Sequence, residues 1–125
     1  MAGSVTVEGL MQKARVAQKA LEKCSQAEVD QYVRAIGKVI YDHAEELAKE
    51  AVEETRMGVY EDKIAKNRGK SKMIWRGLQG KKSIGIIGTD EKECLTFVAK
   101  PKGVVGAVTP TTNPIVTPMC NAMFA

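Results

Sequence analysis

The sequence is poor in the side chains that most often carry chemistry. It holds one histidine, His43, and three cysteines, Cys24, Cys94 and Cys120, an odd number with no CxxC spacing. That set cannot build a zinc site at the usual spacings, so reduced thiols and no structural metal are expected. No apolar run approaches the roughly 18 to 20 residues that span a bilayer, and Met1 to Thr6 lacks the charged start and apolar stretch of a signal peptide. No membrane is expected as a partner, and the cytoplasm is the default location. Neither a Walker A sequence nor GxGxxG occurs. Gly85-Ile-Ile-Gly88 and Gly103-Val-Val-Gly106 are only paired glycines beside apolar runs, weak as phosphate signals. Repeats and low-complexity tracts are absent as well.

What is present fits one globular domain or a piece of a larger one: 125 residues, 44% hydrophobic and 27% charged. The net charge of +4 is unevenly spread. Between Tyr60 and Lys82 stand Lys63, Lys66, Arg68, Lys70, Lys72, Arg76, Lys81 and Lys82 against only Glu61 and Asp62. The bland reading is a solvated helix face with a connecting loop; a coenzyme A or nucleotide phosphate neighbour is the alternative. Nucleic acid is disfavoured, because Tyr60 and Trp75 do not interleave with the cations and no binding motif accompanies them.

Periodicity predicts helices first. Val7, Leu10, Ala14, Ala17 and Leu21 fall on one stripe of a helix ending near Lys23. Ser25 precedes Glu28 by three residues, a capping box that starts a second helix. Val29, Val33, Ile36, Ile40, Leu47 and Ala51 carry its stripe for about seven turns, with Gly58 placed for a left-handed C-terminal cap and His43 as a half-buried structural residue. A third, weaker helix is expected from Tyr60 to Trp75 despite Gly69.

The period then changes. Ser83 to Gly88 and Cys94 to Lys100 read as a hairpin joined by Thr89-Asp90-Glu91-Lys92, and Val104 to Val108 is apolar enough for a strand buried on both faces. After the loop Thr109-Pro110-Thr111-Thr112, Asn113-Pro114 suits a helix start, with Asn as N-cap and Pro in the first helical position. Ile115, Val116, Met119, Cys120, Met123 and Phe124 give the following helix a broad apolar face. Cys120 lies on that face without a neighbouring base, so a structural thiol is the better reading. One buried strand and one apolar helix need more sheet to cover, so the chain is expected to be a truncated piece. A small complete helical domain is the rival.

The segment Lys100-Pro-Lys-Gly-Val-Val-Gly-Ala-Val-Thr-Pro-Thr-Thr-Asn-Pro114 resembles the strand and active-site loop of CoA-acylating aldehyde dehydrogenases, which read G-V-[VI]-G-x-[VI]-x-P-[ST]-T-N-P. Glu53 to Asn67 is similar to the same branch. The resemblance covers nearly the whole chain and about the first quarter of the family's catalytic module. It implies an α/β fold seen at its N-terminal end: a helical segment at 1–82, an oligomerisation hairpin at 83–100, and at 101–125 the first strand and helix of a Rossmann-like cofactor domain. The implied reaction joins an aldehyde to coenzyme A with reduction of NAD or NADP, or runs in reverse, through a thiohemiacetal and thioester on a later cysteine. This chain alone would be inactive.

By the same resemblance Asn113 matches the asparagine whose amide helps form the oxyanion hole, and Thr109, Pro110, Thr111 and Thr112 match the stretch bordering the nicotinamide, mostly through backbone. Hydrolytic members usually read P-W-N-F-P, with Asn third; here it stands fourth, which favours the acylating branch. Implied partners are an aldehyde, coenzyme A and further copies of the chain. Hydrolytic aldehyde oxidation is the alternative activity. From another class, a non-catalytic interaction module or microcompartment-targeting piece could be built on Val7 to Leu21. The aldehyde (acetaldehyde, succinic semialdehyde and sulfoacetaldehyde among those open) and the choice between NAD and NADP are not legible.

Overall fold

The computed structural model describes residues 6–125. Its first helix, α1 (Val7–Leu21), is capped by the Thr6 hydroxyl, which accepts from the Gly9 amide at 3.2 Å. No α1 residue is buried, and Val7, Leu10 and Val16 stay exposed. The next helix, α2 (Gln26–Asp42), starts on the capping box expected from sequence. The Glu28 carboxylate accepts from the Ser25 amide and hydroxyl at 2.7 Å each, while the Glu28 amide donates back to Ser25 Oγ at 3.3 Å.

The expected seven-turn helix is divided. After α2 the backbone leaves helical geometry at His43 (φ −97°, ψ 21°), and α3 (Ala44–Thr55) follows. Backbone hydrogen bonds still run through the break, from His43 N to Val39 O and from Leu47 N to His43 O, each at 3.0 Å. Asp42 and His43 both have low helix preference, which makes this a cheap place for the interruption. His43 is therefore not a half-buried stripe residue: it is exposed, and its ring pairs with Glu46 at 3.0 Å. The left-handed cap also moves. Arg56 adopts it (φ 54°), donating to Val52 O at 2.8 Å, and Gly58 takes its own positive φ of 86° two residues later, inside the turn.

That turn leads into α4 (Tyr60–Leu78), which runs past the expected end at Trp75 and straight through Gly69. Small side chains let α3 and α4 approach closely: Ala44, Ala48 and Ala51 are buried on one, Asn67 and Ser71 on the other. Both polar residues are satisfied, Asn67 Nδ2 by Ala44 O at 3.2 Å and Ser71 Oγ by Asn67 O at 2.7 Å. Arg68 adds an ion pair to Glu45 at 2.8 Å. The last helix, α5 (Val116–Phe124), buries Met119 and Met123, and a Cβ built on buried Gly37 would lie 3.3 Å from Met123 Cε and 3.7 Å from Ser71 O. α2, α4 and α5 thus meet where glycine leaves room for methionine.

The hairpin consists of antiparallel β1 (Gly85–Asp90) and β2 (Leu95–Ala99), in register Gly85↔Ala99 to Asp90↔Leu95 with a bulge between Ile86 and Gly88. Its turn lies two residues later than the sequence suggested, because the Asp90 carboxylate accepts from the Lys92 and Glu93 amides at 3.0 and 3.1 Å and so closes the loop itself. Gln26 anchors the approach to β1: its amide oxygen accepts from Ser83 N at 2.8 Å and Ile84 N at 3.1 Å.

The chain forms two compact units, one with the residues up to Val29 and Lys82–Gly106, the other with Asp30–Lys81 and Ala107–Ala125. Residues 104–108, expected as a buried strand, have no ladder partner among the described residues, and Val108 is 94% exposed. A strand needs a neighbour for its amides and carbonyls, and among the described residues the only ladder is the one between β1 and β2. Among the described residues no helix is long and apolar enough to cross a membrane, and no group of His, Cys, Asp and Glu could hold a metal ion.

Candidate functional site

Everything described at this site lies in the second unit. The loop Pro110–Asn113 is a tight turn, closed by a bond from Asn113 N to Pro110 O at 3.1 Å. Two lysines one turn apart on α4 hold it. Lys63 Nζ donates to the Thr112 carbonyl at 2.9 Å, and Lys66 Nζ donates to Asn113 Oδ1. Both lysines are half-buried, whereas Arg68, Lys70, Lys72 and Arg76 remain exposed. The basic segment is therefore two things: a solvated face, as read from sequence, and a pair of cations turned to the loop.

Asn113 differs from the sequence expectation in what its side chain does. Its backbone carbonyl does accept from Thr117 N at 3.3 Å, as an N-cap carbonyl should. The side chain caps nothing. α5 begins at Val116, with Ile115 at the cap position and no side-chain cap bond, and Pro114 lies in the turn before the helix. The carboxamide is drawn toward α4 instead. Because an ammonium only donates, the group facing Lys66 is the amide oxygen, and the NH2 group is left as the outward donor. Its single protein partner among the described residues is Thr112 Oγ1, at a long 3.3 Å.

Beside this loop opens a hollow of about 550 Å³ with Met57, Val59, Asp62, Lys63, Lys66 and Thr112 on its walls. Lys63 reaches it by lying across Gly58, where a Cβ would come within 2.7 Å of Lys63 Cε. The structure thus brings Thr112 and Asn113 together with α4. It gives Thr109, Pro110 and Thr111 no comparable partner: all three are exposed, and neither hydroxyl is bonded among the described residues. No cation stands in that stretch to hold a phosphate. The sequence reading missed Lys63 and Lys66. Their partners lie 49 and 47 residues away, a separation that helical spacing cannot reveal.

The model of the aldehyde dehydrogenase family matches residues 1–125. A succinate-semialdehyde dehydrogenase (acetylating) of Clostridium kluyveri is 59% identical over all 125 residues, which cover 28% of that protein. A sulfoacetaldehyde dehydrogenase of an Acholeplasma species is 41% identical over 115 residues, 90% of this chain and 24% of the relative. Among solved structures, a probable aldehyde dehydrogenase from Listeria monocytogenes superposes with a TM-score of 0.88 at 37% identity, covering 93% of this chain and 26% of that one. An acetylating aldehyde dehydrogenase from Geobacillus thermoglucosidasius gives a TM-score of 0.65 at 36% identity over 68% of this chain and 19% of its own. The chain thus spans about a quarter of the length of the relatives it matches, and it takes the fold of their N-terminal part.

Proposed function

The chain belongs to the aldehyde dehydrogenase family, and from that premise we propose that the full-length protein interconverts an aldehyde and an acyl-coenzyme A with a nicotinamide nucleotide as redox partner. The observation that carries the acylating reading is identity of 59%, across the whole chain, with an acetylating succinate-semialdehyde dehydrogenase. The nucleotide supplies the oxidising or reducing equivalents when bound, and Thr109–Thr112 offers the exposed backbone and hydroxyls that would border it.

Within this chain the proposed contribution to chemistry is Asn113. When a nucleophile adds to an aldehyde, negative charge grows on the carbonyl oxygen, and a neutral amide N–H can meet that charge without first gaining a proton. Lys66 prepares the amide for this task by binding its oxygen, so the donor end faces outward before any substrate arrives. Pre-orientation matters because a donor that must rotate during the reaction loses much of its advantage.

Two measurements test the reading. Full-length protein given an aldehyde, coenzyme A and NAD or NADP should yield a thioester; a free acid formed equally well without coenzyme A would assign hydrolytic oxidation instead. Asn113→Ala should lower turnover about 100- to 1000-fold while folding survives, the usual loss for one oxyanion donor. Asn113→Asp should do no better, since its carboxylate repels the growing charge. Near-normal turnover by Asn113→Asp would remove Asn113 from the chemistry.

A further inference from the structure

The acceptor atoms at the end of the loop are already taken from the α4 side. Lys63 donates to the Thr112 carbonyl and Lys66 to Asn113 Oδ1. The Asn113 backbone N–H is spent on Pro110 O, and Pro114 has no N–H to give. Neither residue of the Asn-Pro pair therefore has a backbone donor to offer. The Asn113 NH2 group faces away from Lys66, and on that side the Thr112 hydroxyl oxygen lies 3.3 Å from Nδ2. That hydroxyl accepts from the amide, yet among the described residues nothing accepts its own proton. Thr112 is exposed, so the proton is open to a group that enters from outside.

We infer that the Thr112 hydroxyl is a second oxyanion donor, acting beside the Asn113 amide on the same aldehyde oxygen; the inference rests on the aldehyde-oxidising reading above. The spacing carries it. Ordinary hydrogen bonds hold their heavy atoms about 2.7 to 3.0 Å apart, so the contact between Nδ2 and Oγ1 is slack and cheap to exchange. One oxygen about 2.9 Å from Nδ2 and about 2.7 Å from Oγ1 closes a nearly equilateral triangle with them, and both atoms then donate to it. No backbone movement is needed, since the turn is closed and Lys66 already sets the amide. The lysines help in a further way. They keep Thr112 O and Asn113 Oδ1, the atoms that would repel an oxyanion, bound on the α4 side. A single amide fixes the oxygen along one direction only, whereas two donors on adjacent residues fix its position as its charge grows.

The test uses the full-length enzyme with coenzyme A and nucleotide saturating, and the better of acetaldehyde and succinic semialdehyde as substrate. Thr112→Val removes the hydroxyl and keeps the β-branched shape. It should lower kcat and kcat/KM together by roughly 10- to 100-fold, the range for a lost hydrogen bond to a charged group made only in the transition state. Thr112→Ser should retain most of the turnover. Melting temperatures report folding, and Thr112→Ala gives the same reading from a smaller side chain if valine does not fold. Adding Thr112→Val to Asn113→Ala separates donation from support of the amide: a hydroxyl that donates for itself should cost a further loss of about 10-fold. An Asn113→Ala rate left unchanged by the second substitution would overturn the proposal, because Thr112 would then act only through the carboxamide. Full turnover by Thr112→Val beside an impaired Asn113→Ala would also overturn it and leave the reading of Asn113 standing. So would a raised KM for the nucleotide with kcat intact, which would give the hydroxyl to the nucleotide. No thioester from either aldehyde in the wild-type enzyme would instead remove the functional reading, and the second donor with it.

Discussion

At the scale of single residues, what a side chain touches decides its role more than its type does. Asn113 is legible through two signals, Asn-Pro chemistry, which suggests a cap, and the loop it resembles, which implies an oxyanion donor; the contact with Lys66 that turns its amide outward is not legible, because α4 and the loop are distant in sequence. Gly37 carries no signal in the sequence pattern, yet it sits buried where Met123 needs space. An alanine there gains helix preference, worth about 1 kcal/mol over glycine, and its Cβ presses only on the flexible end of a methionine. Gly37→Ala should therefore leave stability unchanged or raise it by up to about 1 kcal/mol, whereas branched Gly37→Val should lower it by about 1 to 3 kcal/mol through overpacking. Urea unfolding of the full-length protein would measure both. A loss with alanine as large as with valine would mean that Met123 cannot yield.

At the scale of elements, local chemistry was legible and long-range geometry was not. The start of α2 was readable because the Ser25 and Glu28 spacing carries its own bonds. The break at His43 was not, since it interrupts dihedral angles without interrupting the hydrogen-bond ladder. The hairpin was recognised from its apolar runs, but Asp90 moved the turn by capturing two amides. The α2 cap also makes a pH prediction. The Ser25 backbone amide, and after it the Ser25 hydroxyl, hold the Glu28 carboxyl below its ordinary value. A lowered folded-state value means the ionised form is favoured by folding, so this stabilisation is present above the ordinary glutamate range and is lost as pH falls through the lowered value. Glu28→Gln keeps an acceptor that does not titrate, so the difference in melting temperature between wild type and Glu28→Gln should narrow on acidification from about pH 6 to pH 3. A difference constant across that window would show that the cap contributes nothing to acid sensitivity.

At the scale of the whole molecule, apolar surface is left open. The hairpin exposes Ile86, Leu95, Phe97 and Val98, and each strand of a two-stranded sheet keeps one unpaired edge. Such a ribbon is marginal in water by itself. We expect it to be covered by another copy of the chain, so light scattering should give at least a dimer for the full-length enzyme and a smaller species once residues 86–98 are replaced by a tight turn. The same assembly size from a folded shortened variant would show that other surfaces hold the copies together. A different consequence follows from the two lysines on α4. Their partners come 47 and 49 residues later in the chain, so during synthesis, which proceeds from the N-terminus, the helix exists before the loop it will hold has been made. Local elements such as α3 and α4 can form early, while contacts at long sequence separation wait for the chain to close on itself. Lys63 and Lys66 are thus solvated cations on a finished helix until Thr112 and Asn113 reach them, and the outward turn of the amide is among the last features of this region to be acquired.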